Sequence, residues 1–313
     1  MTSQPQTAVA PAGKASFFGW WRWRRIEGYL FIAPWLIGFV AFVLGPFLAS
    51  FFLSFADWNL VRPPTWVGLE HYRTMFTNDP KYIKSFVNTV YFTVFHVPLI
   101  LVVALFIALL LNRQLPGIGV FRTLFYLPSV TAGVATAILW RFIFNYHYGL
   151  LNQAIGLVGI DGPNWLGSTK WAMPAFIIMS TWGFGSLMVL YLAGLQGVPR
   201  ELYEAAEIDG ATAWDKLLNV TIPMMSPVIF FTMIMTIIGS FQIFTAAFVM
   251  TEGGPADATL FYILYLYRSA FQWLRIGYAS AMAWILFLVI LALTLIQLKL
   301  SRRWVFYAGE ELA

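Results

Sequence analysis

The chain has 313 residues, of which 60 % are hydrophobic and only 11 % charged, with a net charge of +5 and a mean hydropathy of +0.73. Soluble domains carry about 25 % charged residues, so a water-soluble fold is excluded: too little polar surface exists to cover this much apolar material. No basic run is long enough to suggest a nucleic-acid partner, and the absence of cysteine excludes disulfides and thiolate-bound metals.

Residues 1–16 are rich in Ala, Thr, Gln and Pro and read as a disordered tail. Trp20, Trp21, Arg22, Trp23, Arg24 and Arg25 follow as an aromatic and basic anchor of the kind that sits at a membrane surface. The apolar run that comes next is too long for the core of a cleavable signal peptide, so it is expected to be retained as a first span. A helix needs roughly 20 predominantly apolar residues to cross a bilayer. Six segments qualify: Tyr29–Phe55, Thr89–Leu111, Phe121–Phe144, Ala172–Leu195, Val228–Met250 and Tyr278–Leu298. None contains Asp, Glu or Lys, and the only charges within them are Arg122 and Arg141, at the two ends of the third. The expected fold is therefore all-α, a polytopic membrane protein with six transmembrane helices. Residues 1–27 would be a cytoplasmic tail and anchor, 28–300 the membrane domain, and 301–313 a second cytoplasmic tail.

Orientation follows from Lys and Arg in the connections. With the N-terminus inside, the inner side holds 11 of them against 8 outside, and the clusters before the first span and after the sixth agree. Both termini are therefore expected in the cytoplasm. Residues 56–88 and 145–171 are long outer connections that read as short interfacial helices joined by turns. The inner connection 112–120 is minimal.

The inner connection 196–227 carries a pattern of its own. Pro199 can open a helix. Glu201, Glu204 and Glu207 then recur every three residues, beside an apolar stripe of Leu202, Ala205, Ala206 and Ile208. Gly210 stands where that helix should stop with a left-handed residue. Asp209 or Thr212 can cap a second helix, whose apolar face is Trp214, Leu217 and Leu218. Pro223 is expected to end it, and Pro227 to open span five. An amphipathic hairpin lying on the membrane has the same periodicity. A row of glutamates suits an anionic leaflet poorly, however, and a fixed angle between two helices suits insertion into a partner's groove.

Glu204, Ala205 and Ala206, then Asp209, Gly210 and Ala211, then Val220, Ile222, Pro223 and Pro227 resemble the EAA loop of ABC importer permeases. Val220 and Ile222 depart conservatively from that pattern. Trp66 through Tyr72, Asn88 and Thr89, Phe121 through Pro128, Tyr148 through Asn152, and Thr251 through Pro255 resemble the carbohydrate-importing branch, in its maltose-like and multiple-sugar-like first permease. The resemblance covers roughly residues 26–308. It implies a type I importer permease fold in a bacterial or archaeal cytoplasmic membrane. It further implies a heterodimer with a second permease, two ATP-binding ATPase subunits, an extracytoplasmic solute-binding protein and a sugar cargo. In such permeases the EAA loop docks into a cleft on the ATPase. Carried over, the coupling residues are Glu201, Glu204, Ala205, Ala206, Asp209, Gly210, Ala211 and Pro223, with Glu204 meeting a basic residue and Gly210 permitting the bend.

The chain has no phosphate-binding loop of its own, so ATP hydrolysis is assigned to a partner and the chain is expected not to be an enzyme. No cofactor or metal is expected. Polar residues within spans mark a candidate path. Span four offers Ser180, Thr181, Trp182, Gly183 and Ser186; span five offers Thr232, Thr236, Ser240, Gln242 and Thr245. The expected substrate contacts are Ser180, Trp182, Gly183, Ser186, Thr236, Ser240, Gln242 and Thr245, although Ser, Thr and Gly also mediate plain helix packing. His96, followed by Pro98, reads as a packed histidine at a kink, and Arg141 as an interfacial anchor. Two alternatives stay open. The same machine could carry glycerol phosphate or another small polar solute. An ion-coupled secondary transporter would instead need intramembrane carboxylates or paired histidines, and the spans offer neither.

Overall fold

The computed structural model describes residues 29–113 and 115–306. The expected N-terminal tail and anchor, and most of the expected C-terminal tail, lie outside the described residues. The chain divides into two compact units at Phe52 and Leu53, and the first helix, α1 (Tyr29–Leu53), is described by itself. It widens into a π turn over Val40–Leu44, where the Gly45 N–H reaches back to the Val40 carbonyl. The cause stands one residue on. Pro46 has no N–H, and its ring would crowd the carbonyl four residues back, a conflict that a wider turn relieves.

From Leu53 onward the second unit begins with a short antiparallel hairpin of β1 (Ala56–Asp57) and β2 (Thr65–Trp66), in the register Ala56 to Trp66 and Asp57 to Thr65. Helix α2 (Glu70–Thr77) follows. Helix α3 (Pro80–Leu111) starts nine residues before the expected second span. Asp79 explains the early start. One of its carboxylate oxygens accepts from the backbone N–H groups of Lys81 and Tyr82, both at 3.1 Å, and Pro80 takes the first helical position. Its other oxygen accepts from the hydroxyls of Tyr265 and Tyr278. Burial, and then this hydrogen bond, push the Tyr265 phenol above its ordinary value, so it stays a donor.

The expected third span is bent. Helices α4 (Ile118–Val130) and α5 (Gly133–Ile143) meet at 99°. Pro128 withholds the N–H that would continue the ladder, and Thr131 and Ala132 turn extended, with ψ of 136° and 133°. The hydroxyls of Ser129 and Thr131 then satisfy the freed carbonyls of Tyr126 and Leu127, at 2.7 and 3.3 Å. Helix α6 (Leu150–Gly156) lies in the next outer connection. The fourth span is also a bent pair, α7 (Ala172–Thr181) and α8 (Gly185–Gln196), meeting at 45°.

The inner connection supplies α9 (Arg200–Ile208) and α10 (Ala213–Lys216). Pro223 does not end this second helix. A π turn over Leu217–Thr221 carries α10 into α11 (Ile222–Phe241), with the Ile222 N–H bonded to the Leu217 carbonyl. The device is that of α1: a widened turn immediately before a proline. Pro227 likewise sits inside α11, where the Ser226 hydroxyl, 2.6 Å from the Pro223 carbonyl, replaces the N–H that Pro227 lacks. Helix α12 (Thr245–Met250) continues the same 38-residue run, Ala213–Met250. Helix α13 (Tyr262–Tyr267) and helix α14 (Ile276–Ser301) complete the unit. Among the described residues, four helices of 25 to 38 residues are long and apolar enough to span a bilayer, and the two bent pairs bring the number to six if each pair is one crossing.

Two buried clusters hold the second unit together. One contains Phe92, Phe144, Phe176, Phe241, Phe261, Tyr262 and Met282. The other draws α3, α8 and α11 together through Ala104, Ala108, Met188, Tyr191, Leu195 and Met225. Small residues let these helices approach closely, which drives association where lipid is as apolar as the side chains. A β-carbon on Gly194 would lie 2.8 Å from the Met225 sulfur. The Tyr191 and Thr232 hydroxyls meet at 2.8 Å across the interface, so these two buried groups satisfy each other.

Candidate functional site

Two places gather the residues that the sequence singles out. The first is the α9–α10 knob. Pro199 caps α9 in an extended conformation, with ψ of 134°. The helix ends in a paired turn: Gly210 N–H bonds to the Glu207 carbonyl at 3.1 Å, and Ala211 N–H to the Ala206 carbonyl at 2.9 Å. Gly210 is left-handed, with φ of +78°, the geometry in which glycine escapes the β-carbon penalty. Of the two capping candidates for α10, Thr212 fills the position. Its hydroxyl accepts from Asp215 N–H at 3.3 Å, and the Asp215 carboxylate accepts from Thr212 N–H at 2.9 Å.

Lys216 locks the two helices by an ion pair with Glu207 at 2.8 Å. Its hydrogen bond holds the Glu207 carboxyl below the usual carboxylate range. The Tyr203 hydroxyl meets that of Thr221 at 3.0 Å and ties α9 to the start of α11. Glu201, Glu204, Ala205 and Asp209 are exposed, Ala206, Ala211 and Pro223 half-buried. Among the described residues no cation pairs with Glu201 or Glu204. The apolar face expected to pack is largely open: Ile208 is 87 % and Trp214 66 % exposed, and Leu202 and Leu218 are exposed beside them. The knob is bent and acidic, and it leaves these apolar side chains uncovered.

The second place is a cavity of about 400 Å³ where three helix breaks converge: α4 to α5, α7 to α8, and α11 to α12. Ser180, Trp182, Gly183, Ser186 and Thr245 line it, as expected from sequence. Thr236, Ser240 and Gln242 do not. The Thr236 hydroxyl is spent on the Thr232 carbonyl at 2.7 Å, Ser240 is buried, and Gln242 is exposed elsewhere. Sequence reasoning missed Ser129, Gly133, Thr136 and Phe244, which also line the cavity. The local signal was Pro128, with Ser129, Thr131 and Thr136 close behind it. Among the described residues no charged side chain lines the cavity. Trp182 stands at its wall, braced edge-on by Trp140 at 5.8 Å. Behind it, Thr181 donates to the Ile177 carbonyl at 2.7 Å and lies 3.5 Å from His96. His96 is itself stacked on Phe92 at 4.8 Å, a packed histidine.

On the opposite face from the knob, the loop after α12 closes against α3. Asn88 donates to the carbonyls of Asp257 and Leu260 at 2.9 and 3.1 Å, Lys84 donates to the Ala256 carbonyl at 2.6 Å, and Tyr262 N–H donates to the Thr89 hydroxyl at 2.9 Å.

Long apolar helices are interrupted around a cavity of mixed hydroxyl, aromatic and aliphatic lining, the architecture of a multi-pass membrane protein. The chain belongs to the family of binding-protein-dependent transport system inner membrane components, whose model matches residues 74–306. It is therefore an inner-membrane transport component. It is 43 % identical over 291 residues to the probable ABC transporter permease protein YesP of Bacillus subtilis (strain 168), covering 92 % of this chain and 94 % of that protein. It is 36 % identical to the lactose transport system permease protein LacF of Rhizobium radiobacter, covering 93 % and 96 %. Among solved structures, its fold matches a chain of a bacterial alginate ABC transporter in complex with an alginate pentasaccharide-bound periplasmic protein. That match has a TM-score of 0.76 at 23 % identity, over 90 % of this chain and 95 % of that one.

Proposed function

We propose that this chain is one transmembrane half of an ATP-driven importer that carries a sugar, mono- or oligosaccharide, inward from an extracytoplasmic binding protein. A second permease completes the path, and one of two ATPase subunits docks on the α9–α10 knob from the cytoplasm, with both termini of this chain on that side. The observation that carries the reading is the helical run Ala213–Met250, which begins in the knob and ends at the cavity, where Thr245 is part of the lining. Its unbroken part, Ala213 to Phe241, spans about 43 Å at 1.5 Å per residue, so a displacement of the knob is carried along one helix to the break at residues 242–244, beside which Thr245 lines the cavity. ATP binding biases the permease toward one orientation only through a partner that favours it, and the knob is where such a bias enters.

The cavity chemistry supports a neutral, hydroxyl-rich cargo. Serine and threonine hydroxyls supply donors and acceptors, Trp182 supplies an aromatic face for sugar C–H groups, and none of the described residues in the lining carries a charge that calls for a counter-ion. The relative named for lactose transport points the same way. The test is uptake of a labelled sugar panel in proteoliposomes holding the whole transporter. Trp182→Ala is expected to lower uptake of the cognate sugar about tenfold, the loss of about 1.4 kcal/mol of contact, with assembly unchanged. Undiminished uptake by Trp182→Ala would remove this cavity from the path.

A further inference from the structure

A second cavity, of about 620 Å³, opens beside the knob and is unlike the first. Its wall holds three guanidinium-bearing side chains, Arg113, Arg122 and Arg200, together with Asn112, Gln196 and Tyr203. Not one of the described residues lining it is a carboxylate. Glu201, the nearest acid in sequence, lines a different cavity on the other side of α9, with Leu202 and Pro223.

Arg122 is anchored by one bond, from Nη2 to the Leu111 carbonyl at 2.8 Å, which satisfies the end of α3. Its Nε is buried and has no hydrogen-bond partner among the described residues. A buried donor on a charged group left unmade is costly. Three like charges around one cavity repel unless an anion joins them. Planar guanidinium forks match phosphate oxygens.

We propose that this cavity binds a phosphate group. The cavity forms where α3 and α8 end and α4 and α9 begin, which in the orientation proposed above is the cytoplasmic end of these helices. Basic pockets between transmembrane helices on the cytoplasmic side are suited to anionic headgroups. A phosphodiester of an inner-leaflet phospholipid and a free phosphate present the same oxygens to the arginines. Bound there, the phosphate joins the α3–α4 connection and the end of α8 to the first turn of α9, fixing the base of the knob to the helix bundle. The lipid source rests on the inward placement of the knob proposed above. The free-phosphate source does not.

The test uses the full chain with its copurifying subunits in nanodiscs, which expose both faces whatever the orientation. Thermal midpoints are compared in phosphatidylcholine alone, in phosphatidylcholine with phosphatidylglycerol, and in phosphatidylcholine with added inorganic phosphate. Arg113→Gln with Arg200→Gln removes two exposed guanidinium groups from the cavity. Arg302→Gln with Arg303→Gln removes equal charge elsewhere. The expected result is a rise in midpoint for wild type and the second pair, with apparent affinity weakened about tenfold or more in the first pair. A rise with phosphatidylglycerol alone identifies the headgroup as the ligand, and a rise with inorganic phosphate identifies the free anion. No rise under either condition, or equal rises in both variant pairs, would overturn the site.

Discussion

Gly210 offers the sharpest perturbation of the knob, because its role separates from packing. Its φ is +78°, and a β-carbon built there meets nothing within 4 Å. A substitution at 210 therefore costs conformational energy and no steric overlap. A left-handed conformation costs an L-residue roughly 1–2 kcal/mol, taken here as about 1 kcal/mol for Ala and about 2 kcal/mol for β-branched Val. Asn tolerates that region and should stay near Gly. Those costs lower the bent conformer about fivefold in Gly210→Ala and about thirtyfold in Gly210→Val, relative to conformers that unwind the turn. The assay is sugar transported per ATP hydrolysed in proteoliposomes containing the whole transporter. The expected order is Gly, Asn, Ala, Val, with insertion into the membrane unchanged throughout. Equal coupling in Gly210→Asn and Gly210→Val would refute the reasoning, since only the left-handed penalty distinguishes them.

Other substitutions test the structure around the site. A β-carbon on Gly277 would fall 1.9 Å from the Ala56 carbonyl oxygen, so Gly277→Ala should destabilise the protein by at least 1–3 kcal/mol, whereas Gly239 has nothing within 4 Å and its alanine variant should be neutral or stabilising; matched thermal midpoints for the two variants in detergent would contradict the close approach. Asn88→Ala removes both side-chain bonds to the 257–260 loop, a loss of about 1–3 kcal/mol. Because the chain has no native cysteine, Ala258→Cys can report on that loop cleanly, and maleimide should label it about tenfold faster in the Asn88→Ala background; an unchanged rate would mean that Asn88 does not hold the loop.

The knob was legible because its signals are local. Pro199, Gly210 and the Thr212–Asp215 pair each act within a few residues, and each takes the geometry its chemistry favours. The choice between Asp209 and Thr212, the part Asp215 plays in the cap, and the continuation of the second helix through Pro223 needed the structure. The long helices were legible from apolar run length, but their ends and bends were not. Helix α3 begins at Pro80 because Asp79 caps it, although Lys81, Lys84, Ser85 and Asn88 dilute the hydropathy there. The 99° break hides inside an apolar run, where Pro128 alone predicts a kink of unknown size. The prolines at 223 and 227 read as helix boundaries, yet a π turn and a serine hydroxyl let the helix continue through both. Span five exposed the limit most plainly. Thr236 and Ser240 look like path residues until packing decides which face of α11 is buried, and of the span-five residues expected in the path Thr245, beyond the break, is the one that lines the cavity. Asn88 and Thr89 on one side and Thr251 through Pro255 on the other are separate fragments in sequence. In the fold, the first pair holds the loop that the second begins.

The docking of the knob on an ATPase is tested most directly by photo-crosslinking from Ile208, the most exposed large apolar side chain of α9 at 87 %. A benzophenone amino acid placed there in the assembled transporter should form a covalent adduct with the ATP-hydrolysing subunit, at a yield that changes when ATP binds. Adducts confined to lipid, or to the extracytoplasmic binding protein, would contradict it.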